Sequence, residues 1–483
     1  MEPYVAHRPK ESLLYQLVEK YYPTLKAELS QQGSPLPGYV EKEFEAYLQC
    51  GCAEHGFFRI RCDGCHREHL LAFSCKRRGF CPSCGARRMA ESAALLVDEV
   101  FPDQPVRQWV LSIPIPLRFL FANRPSVMSG VLRVVYRSIS TWVIKKAGLS
   151  CKTGQTGAVT LIQRFGSALN LNLHYHLLFL DGAYTQGDPG RLEFRRSREP
   201  SSEELTALAE TLARRIGRYL TRRGYLTQDA EVSYLADGLT EGGAVEELTG
   251  SSITYRIAVG PHKGRRVYRL QSMPAQTEEV RTEAGKAGGF SLHAGVSTKK
   301  GQRKKLERLC RYVSRPAVSE KRLSLTHNGQ VRYELKTPYR DGTTHVIFDP
   351  LDFIARLVAL IPKPRVNLAR YHGVFAPNSR WRDQVTPGNK GTRSESQADE
   401  EEEETVKAKR RGMSWAQRLK RVFGIDIEIC PHCGGGVRII ACIEEPVVIR
   451  QILSHVEAKQ ESGRQQAGDL PPSRAPPPFG LFG

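Results

Sequence analysis

Apolar and polar residues alternate most regularly between residues 168 and 182, and this period of two predicts a β-strand. The odd-numbered positions from Leu169 to Tyr175 are apolar and should face a core. The even-numbered positions from Asn170 to His176 are polar and should share the opposite face, because side chains alternate along a strand. Asp181-Gly182 supplies a turn that ends the strand.

The rest of the chain mixes helical and strand periods. Residues 1–48 have the spacing of amphipathic helices, and from about residue 93 to 385 predicted strands alternate with predicted helices, which indicates an α+β fold. The predicted strands are Trp109 to Ile115, Gly157 to Phe165, Leu169 to Leu180, Ile253 to Val259 and Val346 to Phe348.

Composition divides the chain further. We expect an N-terminal helical segment (1–48), a cysteine-rich module (49–92), a main α+β domain (93–385) with a mostly helical insertion at about 185–250, a charged linker (386–412), a small Cys-x-x-Cys module (413–460) and a disordered tail (461–483). In the small module, Trp415, Leu419, Val422 and Phe423 have helical spacing.

One predicted helix carries a tyrosine away from its apolar stripe. Residues 302–315 have leucine, cysteine and valine at helical spacing and stop at Pro316. Tyr312 lies on the cationic face between Arg308 and Arg315. A tyrosine at a helix edge is commonly structural. The alternative is a nucleophile, which needs nearby cations because a phenol has a pKa near 10.

The chain carries a large excess of positive charge. The 483 residues include 71 Lys and Arg against 51 Asp and Glu, a formal net charge of +20, and the excess is bunched. This pattern favours a polyanionic partner such as nucleic acid over a generally basic protein. The sequence shows neither an apolar signal region nor a stretch long enough to span a membrane, so we expect no membrane partner.

The twelve cysteines fall mostly in Cys-x-x-Cys pairs, which is typical of metal sites in a reducing compartment. Two pairs fifteen residues apart predict one structural zinc site of four thiolates: Cys62, Cys65, Cys81 and Cys84. Further potential ligands nearby leave a second site undecided: Cys50, Cys52, His55, His66, His69 and Cys75. Basic residues flanking the module are predicted to contact DNA phosphates: Lys76, Arg77, Arg78, Arg87 and Arg88.

The pair Cys430 and Cys433 is half of a further zinc site. Cys442 or His455 could complete it, or the segment could be a ribbon that holds no metal.

The histidines and the tyrosine suggest one chemistry. Two imidazoles one residue apart on a strand can share a divalent cation, although a structurally satisfied pair is the more common finding for His-x-His alone. With an ion at His174 and His176, and with Arg308 and Arg315 binding phosphate, Tyr312 could attack phosphorus in line. That reaction gives a 5′-phosphotyrosyl enzyme and a free 3′-hydroxyl, and it needs no ATP.

The chain resembles the rolling-circle transposases of the insertion-sequence ninety-one type, including the common-region elements, within the His-hydrophobic-His single-strand endonucleases. The resemblance covers most of residues 10–460 and depends on segments 73–84, 163–176, 306–316, 370–377 and 430–434. It implies an antiparallel sheet flanked by helices, His174 and His176 as ligands of Mg²⁺ or Mn²⁺, and Tyr312 as the nucleophile that nicks and rejoins single-stranded DNA at element ends.

The same resemblance bears on details. Related endonucleases use a third polar ligand, for which Gln163 is the candidate, with a structural glutamine as the alternative. Some relatives have a second tyrosine four residues earlier, where this chain has Arg308, so it resembles the single-tyrosine branch. The second strand transfer would then use Tyr312 again or a second protomer of a homo-oligomer. The expected location is the bacterial cytoplasm, at the nucleoid.

Two other functions fit parts of the sequence. A plasmid replication initiator or relaxase would share the chemistry, but the cysteine module and the motif around Tyr371 favour a transposase. A non-catalytic zinc-containing DNA-binding regulator would leave His174, His176 and Tyr312 unrelated. The local chemistry of Tyr371 and His372 assigns them no role.

Overall fold

The computed structural model describes residues 8–187, 191–228, 233–236, 242–273, 284–388, 428–430 and 432–462. Most of the expected linker (389–412), the apolar positions at Trp415, Leu419, Val422 and Phe423, and the expected tail from 463 onward lie outside the described residues.

The strands and helices occur in the following ranges. The strands are β1 Phe57–Cys62, β2 Glu68–Ala72, β3 Val106–Ser112, β4 Gly154–Gln155, β5 Gly157–Phe165, β6 Leu171–Leu180, β7 Gly182–Gln186, β8 Leu192–Arg196, β9 Leu226–Gln228, β10 Ser233–Leu235, β11 Tyr268–Gln271, β12 Ala284–Ala287, β13 Phe290–Thr298, β14 Leu323–Leu325, β15 Val331–Glu334, β16 Thr343–Phe348, β17 Ala369–Gly373 and β18 Val437–Ile443. The helices are α1 Leu13–Gln31, α2 Gly38–Gln49, α3 Pro82–Leu95, α4 Ile115–Asn123, α5 Pro125–Lys146, α6 Ser202–Arg222, α7 Ala244–Ile253, α8 Arg303–Val313, α9 Pro350–Leu360, α10 Arg382–Val385 and α11 Pro446–Ser462.

The central sheet has the strand order β12-β13-β3-β6-β5-β17, and each neighbouring pair is antiparallel. Smaller sheets have the orders β18-β1-β2, β11-β16-β15-β14, β4-β7-β8 and β10-β9. The expected α+β fold, an antiparallel sheet flanked by helices with cysteine clusters, is confirmed.

Helices cover both faces of the central sheet, so its middle strands are buried. Leu171, Leu173 and Tyr175 of β6 contribute to the larger core, which includes the apolar sides of α4–α7 and α9. Leu178 and Leu180 of the same strand contribute to a second core, which includes residues 306–313 of α8. The predicted alternation in β6 therefore separates a face toward the larger core from a face toward α8.

Residues 253–259 were expected to form a strand, and that prediction is wrong. Helix α7 ends at Ile253, and Tyr255 has φ +58°, a left-handed conformation that interrupts an extended chain. Ile257 and Ala258 are nevertheless buried, and the Ala258 N–H donates to Asp352 Oδ1 of α9 at 2.6 Å. Burial in a loop produced the apolar alternation that resembled a strand.

The expected helical insertion at 185–250 contains α6 and the first seven residues of α7, together with short strands. Among the residues that the structure describes, no helix is long and apolar enough to cross a membrane.

Candidate catalytic site and cysteine clusters

Strand register brings the polar residues of β5 and β6 together on the face toward α8. Gln163 of β5 pairs directly with His174 of β6, and Leu161 pairs with His176. His174 and His176 lie on the same face because they are two residues apart. Gln108 of β3 reaches this group from the other side of β6.

The amide of Gln163 lies between the two imidazoles and helix α8. Its Nε2 donates to the carbonyl oxygen of Val313 at 3.1 Å. Its Oε1 therefore faces the histidines, 3.0 Å from His174 Nε2 and 3.3 Å from His176 Nε2. Three ligand-type atoms from two strands thus converge on one point.

The other ring nitrogens have partners of their own. His174 Nδ1 lies 2.9 Å from the carbonyl oxygen of Asn172, and His176 Nδ1 lies 2.6 Å from Gln108 Nε2. The contact with Asn172 requires a proton on Nδ1 of His174, because a carbonyl only accepts. A neutral His174 then presents the lone pair of Nε2 to Gln163 Oε1, which is also an acceptor.

Burial favours this neutral form. The pKa of His174 is lowered to about 4, mainly by burial and to a lesser extent by Arg315, while the hydrogen bond to the Asn172 carbonyl opposes the shift. Burial also lowers the pKa of His176 well below its usual value, with smaller effects from His174 and Arg315. Both rings therefore have the neutral state that metal binding requires.

The donor set fits a divalent cation. Two acceptors at 3.0 Å repel each other unless a cation or a proton lies between them. Neighbouring ligands at about 2.1 Å from an octahedral ion lie about 3 Å apart, which matches the separations at Gln163. His174, His176 and Gln163 would hold the ion, and the hydrogen bonds of Asn172 and Gln108 would orient the rings.

Helix α8 brings Tyr312 beside this group. The apolar stripe of α8 is buried against the sheet, and the Tyr312 ring lies edge-on to His176, with 6.2 Å between ring centroids. Arg315 and Lys336 lie over the Tyr312 ring, 4.4 and 4.9 Å from its centroid. Two cations over the ring are attracted by its π-electrons and make the surroundings of Tyr312 positively charged.

The cations around Tyr312 differ in part from those expected. Arg315 is beside the ring as the helical period predicts, whereas Arg308 is exposed one turn earlier. Lys336 comes from the segment after β15, and sequence analysis missed it because no local pattern links residue 336 to α8. Gln108 was missed for a similar reason, since its partner His176 lies on a strand 68 positions away.

Two cavities meet at Arg315. One of about 100 Å³ is lined by Tyr312, Arg322 and Lys336. The other, of about 340 Å³, is lined by Arg77, Arg78, Arg88, Arg164 and Gln163 among others. Arg315, Phe165 and Pro316 line both cavities, so a basic surface runs from the cysteine-rich module to Tyr312.

The cysteines group differently from the sequence prediction. Cys81 and Cys84 are joined by Cys50 and Cys75, not by Cys62 and Cys65. The Sγ atoms of the cluster Cys50, Cys75, Cys81 and Cys84 lie within 4.8 Å of one another, with 3.4 Å between Cys75 and Cys84. This cluster has the ligand set of a structural zinc site. Its position at the start of α3 means that Cys81 and Cys84 anchor that helix.

Cys62 and Cys65 form a second cluster with Cys430 and Cys433. The proposed completing ligands are not part of it: Cys442 is exposed with its Sγ near Glu444, and His455 is exposed on α11. The single site Cys62–Cys65–Cys81–Cys84 is therefore replaced by two clusters. Cys62 and Cys65 lie at the turn of the β1–β2 hairpin, whereas Cys75, Cys81 and Cys84 follow its open end.

The basic residues of the cysteine-rich module have mixed surroundings. Lys76 is exposed, and Arg77 and Arg78 line the larger cavity. Arg78 also donates to the Val366 carbonyl at 2.7 Å. Arg87 pairs with Glu91, and Arg88 donates to the carbonyl oxygens of Lys76 and Arg77. Arg87 and Arg88 thus support the module itself.

The motif residues of β17 pack outside the histidine group. His372 Nε2 lies 3.1 Å from Thr160 Oγ1, and its ring stacks on Tyr136 with 4.6 Å between centroids. Tyr371 packs against the second core, and Arg382 lies over its ring. These contacts give both residues structural roles.

Comparison with known proteins finds two transposase families, one matching the cysteine-rich N-terminal region and one matching the region that contains His174, His176 and Tyr312. A family described as "Putative transposase" matches residues 157–382, which contain β5, β6 and α8. A family described as "Transposase zinc-binding domain" matches residues 17–113, which contain the cluster with Cys50. This second match and the cysteine clusters support structural zinc.

One curated relative extends the similarity along most of the chain. The transposase for insertion sequence element IS801 of Pseudomonas savastanoi pv. phaseolicola is 24% identical over 337 residues, 68% of this chain and 68% of the relative. No solved structure matches the chain significantly. Together, the two family matches and this relative support an IS91-type transposase, a nucleic-acid-processing enzyme.

Proposed function

We propose that this transposase nicks and rejoins single-stranded DNA at the ends of an insertion sequence through a 5′-phosphotyrosine at Tyr312. The proposal rests on the proximity of Tyr312 to His174, His176 and Gln163 on one face of the central sheet. The relative named for an insertion sequence supports the same substrate.

The chemistry follows from the groups around Tyr312. Arg315 and Lys336 stabilise the phenolate, whose oxygen attacks phosphorus in line. The new bond joins phosphorus to the tyrosine oxygen, and the bond from phosphorus to the 3′-oxygen breaks. The departing 3′-oxygen takes up a proton and becomes a hydroxyl. A Mg²⁺ or Mn²⁺ ion at the histidines would polarise the phosphate and stabilise its added charge.

Strand joining is the reverse reaction. A 3′-hydroxyl attacks the phosphotyrosine, restores a phosphodiester and releases Tyr312. Because Arg308 stands where some relatives have a second tyrosine, we assign the chain to the single-tyrosine branch. Successive transfers then use Tyr312 twice or the tyrosines of two protomers. We expect this activity in the bacterial cytoplasm, at the nucleoid.

An end-label experiment tests the proposal. Single-stranded oligonucleotides tiling the DNA on both sides of the coding sequence are labelled at the 5′ or the 3′ end and incubated with the protein and Mn²⁺. We expect the 3′ label to migrate with denatured protein and the 5′ label to appear in a shortened strand with a 3′-hydroxyl. The opposite polarity would contradict the 5′-phosphotyrosine.

The matched variants are Tyr312→Phe and Tyr371→Phe. Tyr312→Phe should abolish the adduct and leave DNA affinity within about twofold, because only the attacking oxygen is lost. Tyr371→Phe should form the adduct normally. An adduct that survives Tyr312→Phe would refute the assignment of the nucleophile, and peptide mass spectrometry would identify the residue that carries the nucleotide.

A further inference from the structure

The second cysteine cluster joins the two ends of the chain. Cys62 and Cys65 belong to the N-terminal module, whereas Cys430 and Cys433 come 365 or more positions later. We propose that these four thiolates hold one zinc ion, and that this composite site attaches the C-terminal segment to the N-terminal module. Cys430 and Cys433 lie outside both matched transposase families, which cover residues 17–113 and 157–382.

The sulfur positions suit a tetrahedral ion. Cys62 Sγ lies 3.4 Å from Cys433 Sγ, and Cys65 Sγ lies 3.8 Å from Cys430 Sγ. All four sulfurs lie within 4.8 Å of one another. A tetrahedron with Zn–S bonds of about 2.3 Å has edges of about 3.8 Å. The shortest of these separations is far longer than a disulfide bond of about 2.05 Å.

The backbone around each pair prepares the sulfurs for an ion. The Cys65 N–H donates to Cys62 Sγ at 3.4 Å, and the Gly435 N–H donates to Cys433 Sγ at 3.4 Å. Such bonds stabilise thiolates, because each places a donor against a negative sulfur. His69, a buried residue of β2, lies beside Cys430.

The two pairs approach closely because glycines separate them. A Cβ on Gly64 would lie 3.5 Å from Cys433 Sγ, and a Cβ on Gly435 would lie 3.2 Å from Cys62 Sγ. The second separation is tighter than an ordinary contact, so a side chain at Gly435 would press on the sulfur of the opposite pair. Gly436 has open space instead.

Strand pairing brings the pairs into register. β18 pairs with β1 antiparallel from Phe57 with Ile443 to Cys62 with Val437. The Asp63 N–H donates to the Gly436 carbonyl at 2.9 Å beside the cluster. Ile439 is 61% exposed, so β18 gains little from apolar burial at that position. Pairing with β1 and the ion pair of Arg438 with Asp63 at 3.0 Å hold β18 beside the cluster.

Counting zinc in pair variants of the full chain tests the composite site. The wild-type protein should contain two zinc ions per chain by atomic emission. The double variant Cys62→Ser/Cys65→Ser should contain one, and so should Cys430→Ser/Cys433→Ser. The quadruple variant should also contain one, because both pairs contribute to the same ion. Cys151→Ser and Cys442→Ser, which change exposed cysteines outside both clusters, should keep two.

Separate sites at the two ends predict a different result. If Cys62 and Cys65 shared an ion with Cys81 and Cys84, and the C-terminal pair held its own, the quadruple variant would lose both ions. That result would overturn the proposal. So would a wild-type protein with one ion and a Cys62–Cys433 disulfide.

A measurement on the wild-type protein tests the shared ion even where the cysteine variants fail to fold. After stepwise chelation and alkylation, peptide mass spectrometry should find Cys62, Cys65, Cys430 and Cys433 becoming reactive at the same chelator concentration. Independent reactivity of the two pairs would refute a shared ion. Gly435→Ala should release this zinc about tenfold faster than Gly436→Ala, and equal rates would contradict the contact with Cys62.

Discussion

A single amide links the histidines to helix α8, which carries Tyr312. Gln163 Nε2 donates to Val313, the last residue of α8 and the neighbour of Tyr312, while Oε1 faces His174 and His176. If the amide turned over, its N–H groups would face the ring nitrogens and its oxygen would face the Val313 carbonyl oxygen. The hydrogen bond to Val313 therefore selects the orientation that suits a cation.

Substitution of Gln163 should change the affinity for Mn²⁺ without changing the thermal stability of the protein. We expect Gln163→Leu to weaken Mn²⁺ binding by about 10- to 100-fold, because it removes the oxygen that both imidazoles face. Gln163→Glu keeps an oxygen there and should bind Mn²⁺ at least as tightly as wild type. Isothermal titration with Mn²⁺ gives the affinities, and thermal unfolding serves as the folding control. Unchanged affinity in Gln163→Leu would remove Gln163 from the ligand set.

Lys336 should act on the nucleophile rather than on DNA binding. Its ammonium lies 4.9 Å from the centroid of the Tyr312 ring, but it is exposed, so water screens part of its charge. We expect Lys336→Met to slow adduct formation at saturating DNA by about tenfold, less than the ~10²–10³ associated with a well-placed donor. The control is Lys300→Met, an exposed lysine in the turn before α8. Equal rates for the two variants would contradict the role of Lys336.

At the scale of elements, local patterns predicted the strands and the helix of the proposed catalytic group but not which elements would lie beside each other. The predicted strands match β5 in its observed bounds and β6 within two residues, and the apolar stripe predicted α8 within two residues at each end. Helix α8 has an apolar side, and polar residues alternate with apolar ones in β6 up to His176, so these patterns are visible in the sequence although β5 and β6 are buried on both faces. Their register, which sets Gln163 opposite His174, depends on pairing between strands.

The grouping of the cysteines also depends on contacts between elements that are distant in the sequence. A Cys-x-x-Cys pair offers two ligands to any pair that meets it, so spacing alone does not identify its partner. The pairing of β1 with β18 brings residues 57–62 beside 437–443, and that contact groups Cys62 and Cys65 with Cys430 and Cys433. Lys336 was missed for the same reason, since α8 and the segment after β15 meet only in the folded chain.

Helix α3 connects the first cysteine cluster to the end of α8. Cys81 and Cys84 lie at the start of α3, and the next residue, Gly85, lies against Pro316 just beyond α8. A Cβ on Gly85 would be 2.7 Å from Pro316 Cβ, closer than packed carbons approach. The cluster is therefore mechanically connected to the segment that follows Tyr312.

We expect Gly85→Ala to impair catalysis without loss of zinc. The added methyl group must displace α3 or the end of α8, and small displacements of a reacting group cost up to about 10²-fold in rate. Adduct formation should fall by at least tenfold while zinc content stays at the wild-type value. Gly217→Ala in α6 has open space and should instead stabilise the protein by about 0.5–1 kcal/mol. A wild-type rate in Gly85→Ala would show that the two helices adjust independently.

At the scale of the whole molecule, the formal charge of +20 is used in more than one way. Arg107 is buried and pairs with Asp181, and Arg356 is buried and pairs with Asp352, so these cations stabilise the fold. The cations that line the two cavities form a surface between the cysteine-rich module and Tyr312. A DNA strand on this surface would contact both the module and the catalytic group.

The salt dependence of DNA binding can test whether DNA contacts the basic surface at the cysteine-rich module. Lys76→Gln/Arg77→Gln removes two cations but keeps their carbonyl oxygens, so the hydrogen bonds of Arg88 remain. If each side chain contacts one phosphate, the slope of log affinity for single-stranded DNA against log salt should become shallower by about 0.7 per contact, about 1.4 in total. Arg214→Gln/Arg218→Gln removes the same charge from α6, which packs against β12 and β13, away from both cavities. If the lost charge acts only through the overall electric field of the protein, both double variants should change the slope equally. If DNA contacts the basic surface, only Lys76→Gln/Arg77→Gln should change it.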